Sequence, residues 1–122
     1  MSAILLVEDE FLVRLFAIDA LEDAGFRVLP AETADAALKA LREAPDVRAA
    51  VIDMGLPDRP GDQLAAEVRA LRPDLAIVIA SGRSGRELRE QFAQQANVTV
   101  LVKPYTAELL LDALGAVGVS NP

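Results

Sequence analysis

The sequence predicts one α/β domain with a doubly wound, five-stranded parallel sheet and five helices on its two faces. Five short apolar runs alternate along the chain with five segments whose apolar residues recur at helical spacing. The runs are nearly continuous in apolar residues, which is typical of parallel strands buried on both faces. Acidic residues follow the first and third runs, so the ends of these two strands are expected to meet at the topological switch point. This placement favours the strand order 2-1-3-4-5.

The predicted elements are bounded by glycine, proline and capping residues. Gly25 ends the first helix, Thr33 caps the second, and Pro45 and Pro73 close the second and third. The predicted strands cover residues 2–7, 26–30, 49–53, 75–80 and 98–102. The predicted helices cover residues 10–24, the segment between Thr33 and Pro45, a segment that contains Leu64 to Leu71 and is stopped by Pro73, and residues 86–95 and 106–117.

Four of the helices have a clear apolar face for the sheet. The predicted core positions are Val13, Phe16, Ala17, Ala20, Leu21 and Ala24 in the first helix, Ala36, Ala37, Ala40 and Leu41 in the second, Leu64, Ala65, Val68 and Leu71 in the third, and Leu109, Leu110, Ala113 and Leu114 in the fifth. The fourth helix offers little more than Leu88 and Phe92, so we expect it to be the weakest and to be mobile.

Length and composition narrow the class of protein. The 122 residues suffice for one ordinary core, and we expect residues 1–119 to form the domain and 120–122 a tail. A net charge of −7 argues against bulk attraction to nucleic acid or to an anionic membrane. No apolar run approaches the roughly 20 residues of a membrane span, and no signal peptide is recognisable, so a cytoplasmic location is expected. Without histidine or cysteine, any metal should be a hard cation held by oxygen.

Polar residues follow four of the five predicted strands. Asp53 closes the central strand, Glu8 and Asp9 follow the first, Ser81 follows the fourth, and Lys103 follows the fifth. Taken singly, an acidic pair after a strand is most often a solvated loop or a helix cap, and a lysine is most often a surface residue. That explanation would have to hold independently at four strand ends. We therefore expect one site around Asp53 at the carboxyl edge of the sheet.

The residue types in this site fit phosphoryl transfer assisted by a divalent cation. Three carboxylates brought together repel one another, and Mg²⁺ relieves that repulsion while leaving positions for phosphate oxygens. The Asp53 carboxylate can attack phosphorus and become an aspartyl phosphate. Lys103 and Ser81 supply a charge and a hydroxyl donor for the transferred group.

The chain resembles the response-regulator receiver domains of two-component signalling, which have the CheY-like variant of the flavodoxin-like fold. The matching motifs are Val7-Glu8-Asp9-Glu10, Asp53-Met54-Gly55-Leu56-Pro57 with Gly61, Ala80-Ser81-Gly82 and Lys103-Pro104-Tyr105. One motif lies at the end of each of four predicted strands, and the similarity spans essentially the whole chain.

The resemblance implies a phosphoacceptor and a set of metal ligands. Asp53 would take a phosphoryl group from a histidine kinase or a histidine phosphotransfer protein. Asp9, Asp53 and the backbone carbonyl of Gly55 would bind Mg²⁺ directly, and Glu8 would act through water. Because the chain contains no histidine, its phosphoryl group must come from another protein or from a small phosphodonor.

The resemblance also implies roles for residues around the acids. Ser81 would sense the phosphoryl group, Lys103 would pair with it, and Gly55 and Arg83 would influence its lifetime. The bond between Lys103 and Pro104 is expected to be cis. Phosphorylation adds about −1.5 to −2 charge, which should draw Ser81 and the loop that follows it inward.

One position departs from the family pattern. Val100 stands three residues before Lys103, where the family usually has Tyr or Phe that rotates as the output signal. Coupling of Ser81 to an aromatic ring is therefore left open. The signal is expected to pass through the loop after Ser81 and the weak fourth helix.

A separate apolar stripe on the first helix consists of Phe11, Leu15 and Ile18. It can pack against the last helix, or it can serve as a docking patch for the helical bundle of a phosphodonor, together with Pro104 and Tyr105. Both interpretations stay open from sequence alone.

Other functions are also left open. A Mg²⁺-dependent aspartyl phosphohydrolase would use Asp53 as its nucleophile, but such enzymes usually have a carboxylate two residues later, where this chain has Gly55. A receiver-like docking module that works without phosphate is the second alternative. A nucleotide-binding flavodoxin-like protein is disfavoured, because no glycine-rich loop follows the first strand.

The expected output is contact with a downstream protein target. The chain would act either as a single-domain regulator or as the receiver of a larger protein, and homodimerisation is left open. It is expected to catalyse only its own phosphorylation and dephosphorylation.

Overall fold

The computed structural model describes residues 2–82, 85–93 and 95–120. Within these residues the chain forms a parallel sheet in the order β2-β1-β3-β4-β5, as predicted. The strands are β1 (Ala3–Val7), β2 (Arg27–Ala31), β3 (Val47–Asp53), β4 (Ala76–Ser81) and β5 (Val98–Val102). The central strands β1, β3 and β4 are buried along almost their whole length, which explains their continuous apolar sequences.

A helix follows each strand. The helices are α1 (Phe11–Asp23), α2 (Ala34–Glu43), α3 (Gly61–Leu71), α4 (Gly85–Phe92) and α5 (Ala107–Ala116). The side chains of Thr33 and Thr106 cap α2 and α5. Each side-chain oxygen accepts a hydrogen bond from the backbone N–H group three residues later in the chain. Gly25 follows α1 with a φ of 97°, the left-handed conformation that favours glycine at a helix end.

Two hydrophobic clusters cover the two faces of the sheet. Residues from α2, α3 and α4 pack on one face, where Leu41, Leu64 and Phe92 are buried. Residues from α1 and α5 pack on the other face, where Leu21 and Leu114 are fully buried. The predicted doubly wound architecture is therefore confirmed, and Leu88 and Phe92 do anchor the short α4. The mobility of α4 stays a prediction.

Four predicted core positions are wrong, because the residues are exposed: Phe16, Ala36, Leu71 and Leu109. Leu71 and Leu109 lie in the last turn of α3 and the first turn of α5. The alanines of α2 form two overlapping apolar faces. The face that is buried contains Ala34 and Leu38 in addition to the predicted Ala37 and Leu41.

Among the described helices, none combines the length and the apolar character that a membrane crossing needs. The described chain packs as far as Val119, which is buried against the α1 and α5 side of the core. The division into a domain at 1–119 and a tail at 120–122 stays a prediction.

Candidate functional site

The sheet register brings the polar residues of four strands to one edge. Asp53, the last residue of β3, pairs with Ala80, which directly precedes Ser81. Ser81 ends β4 opposite Val102, and its carbonyl accepts a 2.8 Å hydrogen bond from the backbone N–H of Lys103. This bond fixes the start of the β5–α5 loop beside the end of β4, so the Lys103 side chain begins next to the acidic cluster.

Lys103 is the electrostatic centre of the site. Its Nζ atom lies 2.9 Å from Glu8 Oε1 and 3.1 Å from Asp53 Oδ1. Glu10 Oε1 is farther away, at 3.8 Å. Both closer carboxylates are almost completely removed from solvent, and Ser81 beside them is also buried. Buried carboxylates are costly without a partner, and the ammonium group supplies that partner here.

The predicted acidic cluster is present in the structure. One carboxylate oxygen from each of Glu8, Asp9 and Asp53 lies within 4.8 Å of the others. Asp9 is exposed, whereas Glu8 and Asp53 are buried, so the cluster opens to solvent on the Asp9 side. Three carboxylate oxygens at this spacing fit the hard-oxygen chemistry of Mg²⁺, which keeps water and phosphate oxygens in its remaining positions.

Burial and charge shift the pKa values inside the site in ways that support this arrangement. Burial raises the pKa of Glu8, and the charge of Asp53 raises it further, although the Lys103 hydrogen bond and the backbone N–H of Glu10 oppose the shift. Burial alone lowers the pKa of Lys103, but its hydrogen bonds to Glu8 and Asp53 outweigh that effect, and the pKa is raised. Lys103 is therefore a permanent cation in the site at neutral pH.

A cavity of about 660 Å³ opens above the cluster. Asp53, Ser81 and Lys103 line its floor, and Met54, Gly55 and the start of α3 line one side. Helix α4 closes another side through Glu87, Leu88 and Gln91. The cavity has room for a phosphoryl group beside the Asp53 carboxylate.

Glycines keep the β3–α3 loop close to Asp53. A Cβ atom added at Gly61 would lie 2.3 Å from the backbone oxygen of Asp53, a distance that no side chain tolerates. A Cβ atom added at Gly55 would lie 3.7 Å from Asp53 Oδ2, which is an ordinary contact. The two motif glycines therefore differ: Gly61 is required by packing, and Gly55 leaves the space beside the carboxylate open.

The same loop is anchored by Asp58, which the sequence analysis did not identify. Its two carboxylate oxygens accept hydrogen bonds of 2.9 and 3.0 Å from the backbone N–H groups of Ala34 and Asp35, at the start of α2. These bonds lower the pKa of Asp58. Arg59 extends the anchor by bonding Asp35 and Glu67. Asp58 thus caps a helix 24 residues earlier in the chain.

The apolar stripe on α1 is divided by the structure. Phe11 and Leu15 are exposed, whereas Ile18 is partly buried against the core cluster on the α1 and α5 face of the sheet. Leu12, which is not among the predicted docking residues, is 77% exposed, and Phe16, a predicted core residue, is 44% exposed. Phe16 instead lies beside Tyr105, with 6.1 Å between the ring centroids.

These side chains border a second cavity, a groove of about 550 Å³ between α1 and the β5–α5 loop. It is lined by Leu12, Val13, Phe16, Pro104 and Tyr105, and Glu10, Gly82 and Lys103 lie at the end next to the acidic site. Burial raises the pKa of Tyr105 to about 12, so its hydroxyl is neutral. The Lys103–Pro104 bond is cis, as predicted.

Of the two residues expected to influence switching and phosphoryl lifetime, Val100 and Arg83, the structure describes Val100. Val100 is buried in β5 opposite Ile79 and belongs to the core cluster of α2, α3 and α4. Arg83 lies outside the described residues. The effects of Val100 and Arg83 on output and lifetime stay predictions.

Comparisons with known proteins agree with this geometry. The family described as "Response regulator receiver domain" matches residues 4–115, and the chain belongs to that family. The response regulator receiver protein CpdR of Brucella abortus is 31% identical over 114 residues, which are 93% of this chain and 94% of that protein. The sensor kinase CckA of the same organism is 30% identical over 110 residues, 89% of this chain but only 12% of that protein.

Solved structures show the same fold. The chemotaxis response regulator CheY4 of Vibrio cholerae has a TM-score of 0.85 and 28% identity, covering 96% of this chain and 98% of that chain. A sensor protein from Polaromonas has a TM-score of 0.84 and 32% identity, covering 95% and 94%. The CheY-like fold is therefore confirmed, and the chain is a receiver domain of two-component signalling.

Proposed function

We propose that this receiver accepts a phosphoryl group on Asp53 and thereby switches a protein-interaction surface. The observation that carries the proposal is the Asp53 carboxylate itself. It is buried at the end of the central strand, 3.1 Å from the Lys103 ammonium and beside the carboxylates of Glu8 and Asp9. A buried acid in such a cluster is costly for stability. A role as phosphoryl acceptor explains why the chain has an acid at this position.

In the proposed reaction, a carboxylate oxygen of Asp53 attacks the phosphorus of a phosphohistidine. The new O–P bond forms as the N–P bond breaks, and the imidazole leaves with the electron pair and takes up a proton. Lys103 leaves the carboxylate and pairs with an oxygen of the transferred group, and Ser81 donates its hydroxyl to another. The proposed catalysis is limited to phosphorylation and dephosphorylation of this chain itself.

Mg²⁺ is the proposed cofactor. Asp9, Asp53 and the backbone carbonyl of Gly55 would hold it directly, and Glu8 would contribute through a bound water. When bound, the ion offsets the charge of the carboxylates and of the incoming phosphoryl group. The raised pKa of Lys103 keeps a second positive charge in the site throughout.

We propose that the phosphodonor, a histidine kinase or a histidine phosphotransfer protein, docks over α1. Charge and polarity around the site favour that side. The groove beside α1 is apolar and exposes Leu12 and Phe16, whereas the α3 and α4 side of the main cavity carries Asp62 and Glu87. The phosphoryl group that a donor brings is anionic, so approach over the apolar side, away from Asp62 and Glu87, is favoured.

The output is proposed to be a change at the Ser81 loop and α4, read by a downstream protein. Among the α4 side chains that the structure describes, Leu88 and Phe92 are the buried ones, so a small shift of Ser81 can reposition this helix. The similarity to a receiver protein and to a segment of a sensor kinase fits either a single-domain regulator or a receiver within a larger chain. The cytoplasmic location, the absence of a nucleic-acid or membrane partner, and homodimerisation stay predictions or open points.

Transfer from a protein donor tests the proposed function. A phosphorylated histidine phosphotransfer protein is mixed with this chain and Mg²⁺, and both are separated and analysed for protein-bound phosphate. The expected result is loss of phosphate from the donor with an acid-stable, base-labile label on wild type and none on Asp53→Asn. Label on Asp53→Asn equal to wild type would contradict the assignment. The matched control is Asp62→Asn, a second aspartate of the same cavity, which should still be labelled.

A further inference from the structure

Arg14 in α1 makes contacts that neither the receiver motifs nor the proposed reaction explain. Its guanidinium Nη1 atom donates to two backbone carbonyls, at 3.0 Å to Glu8 and 3.3 Å to Asp9. Its Nη2 atom lies 2.9 Å from Glu32 Oε1. The side chain is only 12% exposed, and the guanidinium lies 5.6 Å from the centroid of the Phe11 ring.

These contacts bind the loop that presents the metal-binding acids. The β1–α1 loop spans residues 8–10, and the amide of Glu8 donates a 3.0 Å hydrogen bond to the carbonyl of Ala31. The amide of Glu10 donates to the Glu8 carboxylate at 3.2 Å. Arg14 adds hydrogen bonds to the carbonyl groups of the Glu8–Asp9 and Asp9–Glu10 peptides. The loop therefore makes hydrogen bonds through its amides and through its carbonyls. These bonds fix the backbone positions from which the Glu8 and Asp9 side chains extend.

A fixed backbone position matters most when two neighbouring carboxylates have to bind the same ion. Glu8 and Asp9 are adjacent in sequence, so a small rotation of the peptide between them moves both carboxylates relative to Asp53. The guanidinium group is suited to the task, because its planar fork reaches two carbonyls and Glu32 at once, which an ammonium group cannot reproduce. Groups that orient metal ligands are commonly important for affinity.

We infer that Arg14 is a positioning residue for the Mg²⁺ site: it holds the carbonyls of Glu8 and Asp9 so that their carboxylates meet Asp53 at ligand spacing. This inference rests on the proposed function, since it assigns a role toward the same Mg²⁺ site. Arg14 touches neither the ion nor the phosphoryl group in this account, and it acts only through the loop.

A charge effect and a positioning effect predict opposite results. Replacing Arg14 by methionine removes a positive charge near a cation site, so a purely electrostatic role would tighten Mg²⁺ binding. Loss of positioning would weaken it. Arg14→Lys keeps the charge but loses the fork, so positioning predicts weaker binding there too, and a pure charge effect predicts no change.

The experiment is calorimetric titration of MgCl₂ into unphosphorylated wild type, Arg14→Met and Arg14→Lys. The expected result is a dissociation constant raised about tenfold in Arg14→Met and raised to a lesser degree in Arg14→Lys. Glu32→Gln, which removes only an exposed ion pair, should change it by less than about twofold. The matched control is Arg27→Met, because Arg27 also pairs with an exposed acid, Asp46, at the far end of β2. It should bind Mg²⁺ as wild type does.

Two further measurements, of phosphorylation by acetyl phosphate and of thermal unfolding, accompany the titration. Labelling by acetyl phosphate should require more Mg²⁺ for half-maximal rate in the Arg14 variants but approach the wild-type rate at saturating Mg²⁺. If Arg14→Met fails to fold, as judged by thermal unfolding, Arg14→Lys alone carries the test. Unchanged or tighter Mg²⁺ binding in the folded variants would overturn the inference while leaving phosphorylation of Asp53 intact. Absence of both Mg²⁺ binding and labelling in wild type would overturn the proposed function, and the inference with it.

Discussion

Lys103 and Asp53, 50 residues apart in sequence, are joined by a hydrogen bond of 3.1 Å between Nζ and Oδ1. The same ammonium group holds Glu8 at 2.9 Å. One cation therefore pairs with two buried acids from different strands in the unphosphorylated site. Stability and function are coupled at this residue, since the group that compensates the buried carboxylates is the one proposed to bind the phosphoryl group.

Removing this cation should destabilise the fold in a pH-dependent way. Lys103→Met leaves Glu8 and Asp53 buried without their counterion, and we expect roughly 3 kcal/mol of lost stability at pH 8 in EDTA. The pKa of Glu8 is already raised in the folded chain by burial, and losing Lys103 raises it further. Between the unfolded and the folded pKa of Glu8, the folded variant binds a proton that the unfolded chain has released. The stability of the variant therefore falls as the pH rises through this range.

The measurement is urea unfolding of both proteins at about pH 5 and pH 8. The difference in unfolding free energy between wild type and Lys103→Met should narrow at the lower pH, where Glu8 takes up its proton. Lys39→Met, a change at an exposed lysine of α2, should differ little from wild type at either pH. A difference that widens toward pH 5 would contradict the account.

The long-range cap made by Asp58 should contribute stability in a different pH window. Asp58→Ala removes acceptors for the amides of Ala34 and Asp35, and we expect a Tm lowered by about 3 to 5 °C at neutral pH. Hydrogen bonds from these amides lower the pKa of Asp58 in the folded state. Its contribution is therefore complete above the unfolded pKa of about 3.9 and is lost as pH falls through the lower folded pKa.

Thermal unfolding by circular dichroism checks this prediction across pH. The Tm difference between wild type and Asp58→Ala should be constant near neutrality and shrink in acid. Asp19→Ala, at an exposed position of α1, provides the comparison and should show a smaller shift. An Asp58→Ala protein as stable as wild type at neutral pH would show that the cap is not needed.

The two glycines near Asp53 should respond in opposite ways to alanine. Gly61→Ala places a Cβ atom 2.3 Å from a backbone oxygen, so the loop has to move, and we expect a loss of roughly 3 kcal/mol or failure to fold. Gly55→Ala meets Asp53 Oδ2 at 3.7 Å and should fold normally. Urea unfolding of the two variants, made in parallel, measures the contrast. Equal stabilities would refute the described loop geometry.

The groove beside α1 should matter for a protein donor and not for a small one. Leu12→Asp puts a charge on the exposed lip of the groove, and we expect transfer from a phosphorylated histidine phosphotransfer protein to slow by about tenfold or more. Labelling by acetyl phosphate should be unchanged, because Leu12 lies outside the acidic cluster. Leu71→Asp, at an exposed leucine in the last turn of α3, is the matched control. Equal slowing of both donors would argue against docking at this groove.

The sequence predicted the fold and the strand-end residues well, because both follow from local patterns. Continuous apolar runs mark buried strands, and the polar residue that ends each run is brought to one edge by the parallel topology alone. Asp53, Ser81 and Lys103 therefore lie together as predicted. Where the prediction gave bounds for an element, they differ from those of the structure by at most three residues at either end.

The misassigned and overlooked residues depend on tertiary geometry. Phe16 has core spacing on α1, but its ring is exposed and lies beside Tyr105 of the β5–α5 loop, a contact that helical spacing alone does not indicate. The bonds of Arg14 to two backbone carbonyls and of Asp58 to the start of α2 leave no periodic signal. A basic residue one turn after an acidic loop is the only hint that Arg14 gives, and many surface arginines share it.

The most direct test of the central claim is intact-mass analysis after incubation with acetyl phosphate and Mg²⁺. Wild type, Asp53→Asn and Asp62→Asn are compared, each with Mg²⁺ and with EDTA. We expect a single phosphoryl adduct on wild type and Asp62→Asn that requires Mg²⁺ and is absent from Asp53→Asn. An adduct that persists on Asp53→Asn, or a wild-type protein that binds Mg²⁺ but never acquires one, would contradict Asp53 as the phosphoacceptor.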